Sequence, residues 1–233
     1  LLPGRAYCVS GSSEVFGLLA GREAHAPGLV TVRWGERLWH LGGPGQNGAN
    51  ALDWGASAIG AGKADEKPAS TPPALVFLPF LLGERTPFWD GDLRGAVLGI
   101  DAATTPADIT QALMAGVAFV NRTVLERAET ATGLSAQEVR IGGGGSRNAA
   151  WNQIRADVLG RTVLASPAVE TGLAGCLAAG RVALGLDDSL SAAARSALAP
   201  LERYEPDPGR KARYDELFDI FRQAHEAVAP VSR

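Results

Sequence analysis

Sulfur and imidazole are scarce in this sequence: its 233 residues include two cysteines, one methionine and three histidines. Cys8 and Cys176 stand far apart in apolar surroundings, so they read as buried small hydrophobes and not as a disulfide or a metal pair. His25, His40 and His225 show no metal-ligand spacing with one another or with the cysteines, and no metal site is expected. Neither sign of charge is in large excess. Lys and Arg number 22 against 25 Asp and Glu, for a net charge of −3, which gives nothing to attract nucleic acid or an anionic membrane. A run of about eighteen apolar residues is missing, and so is a basic-then-apolar leader. The expectation is a cytoplasmic chain. Internal repeats and low-complexity tracts are absent. So is an initial methionine: "LLPGRAYCVS" reads as a start inside a longer protein.

What is there is apolar and glycine-rich. Hydrophobic residues make up 46% and glycines number 29, enough to bury a core as one large domain or two small ones. "RAYCVSGSSEVFGLLA" reads as two strands around a turn at Ser10, Gly11 and Ser12. "GLVTVRWGERLWHLGG" reads as a hairpin with Gly35 and Glu36 at its turn. A short helix is expected over 47–60, a loop over 62–73 and a buried strand over 74–81 that ends or kinks at Pro79. The segment "GERTPFWDGDLRGAVLG" reads as irregular. Thr105 caps a long helix that Pro106 and Asp108 suit in its first turn and Gly133 ends. Its apolar stripe is Ile109, Leu113, Val117, Val120, Val124 and Leu125. Beyond it the pattern alternates: strand at "EVRIGG", helix over 147–159, strand at "TVLAS", helix over 171–185, and an amphipathic helix over 209–228 with Tyr214, Leu217, Phe218 and Phe221 on one face. This is an α/β order. The helix "GLAGCLAAGRVALG" is nearly all small or apolar and reads as a buried packing helix or as one with a ligand role.

Two turns draw attention. In "RIGGGGSRNAAWNQIRADVLG", four glycines lie between a strand and a helix that Ser146 or Asn148 can cap. A helix start offers free N–H groups, and glycines remove the Cβ atoms that would block a flat ligand. The run is neither a P-loop nor a clean dinucleotide fingerprint, since Glu170 comes late for the acidic residue. A nucleotide-cradling turn and a plain strand-to-helix turn are both open on these residues alone. The second turn, Ser10 to Ser13, can hold phosphate oxygens with hydroxyls and N–H groups, or it is a plain hairpin tip.

Taken together, four stretches resemble one family. "FLPFLLGERTPFWDGDLRGAVLGI" is similar to the central signature of the FGGY carbohydrate kinases, "RIGGGGSRNAAWNQIRADVLGRTV" to their adenosine motif, "ETGLAGCLAAG" to the helix after it, and "SGSSE" to their second phosphate motif, with Ser12 in the usual threonine place. The order and spacing fit over nearly the whole chain. The resemblance implies an actin-like ATPase fold built of RNase H-like domains, a mixed sheet flanked by helices, with residues 1–233 the C-terminal, nucleotide-binding half of a two-domain kinase. The sugar-binding N-terminal domain and the catalytic aspartate are expected upstream of Leu1. The resemblance implies ATP and Mg²⁺ as cofactors, with Gly11 and Ser12 near the terminal phosphates, Gly143, Gly144 and Asn148 against the adenosine, and Gly48 in another nucleotide-facing stretch. Ala115 departs from the pattern, which carries glutamate there. "GERTPFWD" is similar to xylulokinase-like members and "PFWD" also to glycerol kinases, which implies a ketopentose or related polyol as acceptor, xylulose first. A homodimer is a further implication.

The resemblance implies that an aspartate takes the proton of a sugar hydroxyl, whose oxygen attacks the γ-phosphate of ATP in line. Two rivals stand beside this. Glu84 with Asp90 or Asp92 is a possible hydrolytic carboxylate pair, against a rigid loop in which Arg85 and Arg94 neutralise the acids. An actin-like domain can also serve as a non-catalytic interaction or regulatory module.

Overall fold

The structure, a computed structural model, describes residues 2–35, 37–62, 68–167, 170–197 and 200–231. Strands β1 (Ala6–Ser10) and β2 (Glu14–Ala20) pair antiparallel around the Gly11–Ser13 tip, as the small-residue turn between them suggests. Strands β3 (Val30–Gly35) and β4 (Leu38–Pro44) form the next hairpin, and β4 joins β2. Glu36, placed at that hairpin's turn, lies outside the described residues, as do 63–67 of the loop expected over 62–73. A short helix α1 (Ala49–Ala58) follows, and β5 (Val76–Leu78) stops before Pro79. The segment read as irregular contains β6 (Ala96–Leu98), which pairs with β5 in a small separate sheet.

Helix α2 (Pro106–Thr132) begins at a complete capping box. The Thr105 hydroxyl accepts from the Asp108 amide at 3.2 Å, the Asp108 carboxylate accepts from the Thr105 amide at 2.9 Å, and Gly133 closes the helix in the left-handed region. Strand β7 (Glu138–Gly142), helix α3 (Ala149–Leu159) and strand β8 (Thr162–Ala165) follow. The main sheet runs β3-β4-β2-β1-β7-β8-β9, where β9 (Glu202–Tyr204) is an antiparallel edge. Strands β1, β7 and β8 are parallel, so the connections from β4 to β7 and from β7 to β8 run through helices. One sheet face, with Ala6, Cys8, Phe16, Leu18, Val139, Ile141 and Val163, packs on Val124, Leu125 and Ala128 of α2 and Ala156 and Leu159 of α3. This is the mixed sheet flanked by helices that the resemblance implied, and it agrees with the α/β order.

Helix α6 (Pro208–Val228) sets Tyr214, Leu217, Phe218 and Phe221 against Phe119 of α2 and Val158 of α3, as its stripe anticipates. Helix α2 is buried well beyond its stripe, without a break from Thr110 to Asn121. It lies between the sheet, α6 and β5, and at Gly116 it approaches so closely that an added Cβ would stand 2.4 Å from the Phe77 carbonyl oxygen. Ala115 sits in this core at 3% exposure.

Two expectations fail around helix α4 (Thr171–Ala183). Only Ala178 is buried on it, while Leu173 and Leu177 are 68% and 54% exposed, so it is not a buried packing helix. Cys176 lies on it and is exposed; only Cys8 is buried. Small apolar residues permit close packing but do not supply a neighbour. The neighbour here is the short helix α5 (Leu190–Ala197), which, like β9, the sequence pattern did not announce. No described helix is long and apolar enough to cross a membrane.

Candidate functional site

The parallel pairing of β1 with β7 decides where the two singled-out turns lie. The register runs from Ala6 opposite Val139 to Val9 opposite Gly142, so both strands end at the same edge. The hairpin tip leaves the end of β1 and the glycine run leaves the end of β7, side by side. Crevices beyond the carboxyl ends of parallel strands are where open α/β sheets bind ligands.

At the tip, the Gly11 amide donates to the Ser13 carbonyl at 3.0 Å and is used up within the turn, leaving Ser12 exposed at the rim. Helix α1 anchors the tip from below. Its first amides, Ala49 and Asn50, donate to the Gly11 and Ser12 carbonyls at 3.0 and 3.1 Å. Gly48 is buried under the tip: a Cβ there would lie 2.9 Å from the Ser12 oxygen, and its amide donates to the Asn50 side chain at 2.7 Å. Gly48 therefore packs directly beneath the tip.

The four glycines differ in purpose. A Cβ on Gly142 would strike Thr171 Cγ2 at 2.4 Å, because α4 starts against that face of the sheet. Gly143 has φ of +95°, and a Cβ would meet the Ser10 carbonyl at 2.5 Å, so both backbone shape and space demand glycine. A Cβ on Gly145 would lie 2.1 Å from Ser10 Oγ. A Cβ on Gly144 would meet nothing within 4 Å beyond its chain neighbours, and the residue is exposed. Three of the four vacancies are filled by the protein's own atoms. The open one is at Gly144, which begins the 3-10 turn Gly144–Arg147. Asn148 then caps α3, its side chain accepting from the Trp151 amide at 2.9 Å. Ser146, the other candidate cap, instead donates to the Gly143 and Ser166 carbonyls at 2.7 and 2.5 Å and cinches the loop.

A buried polar network that the sequence reading missed holds tip and glycine turn together. Arg155 of α3 and Glu14 of β2 form an ion pair at 1% and 2% side-chain exposure. Arg155 donates to Ser10 Oγ at 2.7 Å and to Asn152 Oδ1 at 3.1 Å, and it reaches the Gly145 carbonyl at 3.4 Å. Ser10 Oγ donates to Glu14 at 2.6 Å, and Asn121 of α2 donates to the other Glu14 oxygen. The Arg155 guanidinium lies 3.8 Å above the Trp151 ring, whose indole N–H donates to the Met114 carbonyl at 3.1 Å.

The "GERTPFWD" loop packs against residues 45–47, and Glu84, one of the acids considered as a hydrolytic pair, is held there. Glu84 is 3% exposed, and its carboxylate accepts from the Arg85 amide at 2.9 Å, from Asn47 Nδ2 at 3.0 Å and from the Gln46 amide. Burial outweighs these bonds and pushes its pKa above the usual 4.5. Asp90 accepts from the Asp92 amide at 2.9 Å, and Asp92 is exposed. The Arg85 charge favours the ionised form of Glu84, as expected, but the guanidinium hydrogen bonds of Arg85 and Arg94 go to backbone carbonyls. The Arg85 guanidinium donates to the Gly45 carbonyl, and Arg94 donates to the Gly91 and Leu93 carbonyls at 2.9 and 2.8 Å. Short loops leave backbone carbonyls without helix or sheet partners, and these take the guanidinium N–H groups.

A groove of about 610 Å³ lined by Pro27, Phe88, Arg127, Phe221 and His225 shares no residue with the glycine turn. Among the described residues no three His, Cys, Asp or Glu side chains gather to hold a metal ion.

Residues 6–184 match the family described as "FGGY family of carbohydrate kinases, C-terminal domain". A glycerol kinase of Citrifermentans bemidjiense is 32% identical over 169 residues, 70% of this chain and 34% of that protein. A xylulose kinase of Escherichia coli is 30% identical over 205 residues, 83% of this chain and 41% of that protein. Among solved structures, one described as a xyloylose kinase from Brucella ovis superposes with a TM-score of 0.85 at 25% identity, covering 99% of this chain and 49% of that one. Plasmodium falciparum glycerol kinase with ADP has the same fold, with a TM-score of 0.79 at 16% identity, covering 95% and 47%. The chain spans about a third to a half of these relatives.

Proposed function

Since the chain belongs to the FGGY family of carbohydrate kinases as that family's C-terminal domain, we propose that it is the nucleotide-holding half of an ATP-dependent kinase that phosphorylates a hydroxyl of a sugar or polyol. The observation that carries this reading is the open space at Gly144 beside a hydroxyl-bearing tip, both at the carboxyl ends of β1 and β7. The bare backbone at Gly144, which the crowded Gly143 turn presents, takes the adenosine together with Asn148 at the start of α3. The tip, with the Ser12 hydroxyl at its rim, takes the phosphates.

The chain's part in the reaction is to bind and orient ATP so that its terminal phosphate faces the partner domain. The acceptor hydroxyl gives up its proton to an aspartate outside these residues, and its oxygen attacks the γ-phosphorus in line while ADP leaves. Domain closure keeps water from competing. Among the described residues no three acidic, His or Cys side chains gather to hold Mg²⁺, and Glu14, the carboxylate next to the tip, is taken by Arg155, Ser10 and Asn121.

The proposed acceptor is a ketopentose, xylulose first, on the strength of "GERTPFWD" and of the xylulose kinases among the relatives. Glycerol kinases are as similar, so the full-length enzyme is to be assayed on xylulose and glycerol side by side. A cytoplasmic location and a homodimer are part of the same reading. The direct test is a thermal-unfolding series with ATP on the 233-residue chain. Binding to the folded state alone adds about 2.7 kcal/mol at a hundred times Kd. A chain that shows no shift at millimolar ATP would be a non-catalytic actin-like module instead.

A further inference from the structure

We infer that the buried Glu14–Arg155 pair is a positioning element that fixes the distance between the phosphate tip and the base-binding turn, and so makes the site select a nucleotide over a nucleoside. The inference rests on the nucleotide reading above and adds residues to it. Ser10 is the shared contact point of the two turns. It ends β1, its carbonyl presses on Gly143, and its hydroxyl fills the vacancy at Gly145. Arg155 holds that hydroxyl from one side and Glu14 from the other, while a second guanidinium nitrogen reaches the Gly145 carbonyl.

One charged fork thus touches both turns and the strand between them. The pair is anchored beyond the site by Asn121 on α2 and Asn152 on α3, so neither turn can shift without breaking charge-assisted bonds inside the core. Hydrophobic contact alone would hold the turns near each other, but it is non-directional and would not set one spacing. A base and a triphosphate are covalently linked at fixed reach. A site with two fixed ends gains from both contacts at once, whereas a loose site gains from only one at a time.

The test compares ATP and adenosine binding by calorimetry on the 233-residue chain and on two variants, with thermal midpoints recorded for each. The first is the double replacement Glu14→Leu with Arg155→Met, which removes both charges together and keeps apolar bulk against Trp151. The second is Arg155→Lys, which keeps the charge but cannot fork between Ser10, Glu14, Asn152 and Gly145. The unaltered chain is expected to bind ATP at least about tenfold more tightly than adenosine, about 1.4 kcal/mol. Both variants are expected to bind adenosine as before while the ATP advantage falls to about threefold or less. If a folded variant keeps the full advantage, or if neither variant folds, the pair is structural only and the inference fails. If the unaltered chain binds neither ligand, the nucleotide reading itself fails and takes the inference with it.

Discussion

At the scale of single residues, neighbouring glycines make opposite demands. Gly144 has open space where a Cβ would go and no positive φ, so Gly144→Val is expected to change stability by no more than about 0.5 kcal/mol. It should nonetheless weaken ATP binding at least about tenfold, because the isopropyl group occupies the seat. Gly143→Ala is expected to cost about 1–3 kcal/mol or more, from its backbone angle alone and before the collision with Ser10. Denaturant unfolding and calorimetry on the two variants separate these effects. Equal loss of stability in both would remove the distinction. The two cysteines give a second contrast. Cys8 is 2% exposed, and burial raises its pKa, whereas Cys176 is exposed. A thiol reagent should therefore modify one thiol in the folded chain and two in denaturant. Residue types alone located both turns. They could not tell which glycine is crowded and which is open, because the crowding atoms belong to Ser10 and Thr171.

At the scale of elements, the local signals served best where they are self-contained. The capping box at Thr105 and the left-handed Gly133 bound α2 as the sequence indicates, since cap and helix are the same stretch of chain. Thr105→Ala is expected to lower stability by about 1 kcal/mol with an unchanged denaturant slope. A loss near zero would mean that tertiary packing alone fixes the start of α2. Where an element depends on a distant partner, local signals were mute or misleading. Strand β9 exists because β8 offers it an edge, and β6 because β5 does. Helix α4 shows the converse. Its composition suits burial, but burial is decided by what lies opposite, and Leu173 and Leu177 face solvent.

At the scale of the molecule, the sheet order joins segments far apart in sequence and buries charge where they meet. Glu84 sets a testable pH dependence. Its carboxyl holds a proton more tightly in the folded chain than its usual 4.5 allows, because it is buried. That contribution to stability is full below pH 4.5 and is lost as pH climbs through the raised value. Glu84→Gln should therefore lag the unaltered chain most at acid pH and close the gap toward neutrality, as read from denaturant midpoints. A gap that widens with pH would reverse the assignment. The sequence by itself determined the turn chemistry at Ser10–Ser13 and Gly142–Gly145, the capped helix between them and the amphipathic closing helix, because each is a property of consecutive residues. Only the tertiary structure decided that the two turns share an edge, that Gly48 lies beneath one of them, and that Glu14 and Arg155 tie them together. Parallel pairing of β1 with β7 is a long-range choice, made by hydrogen bonds and burial across the whole sheet.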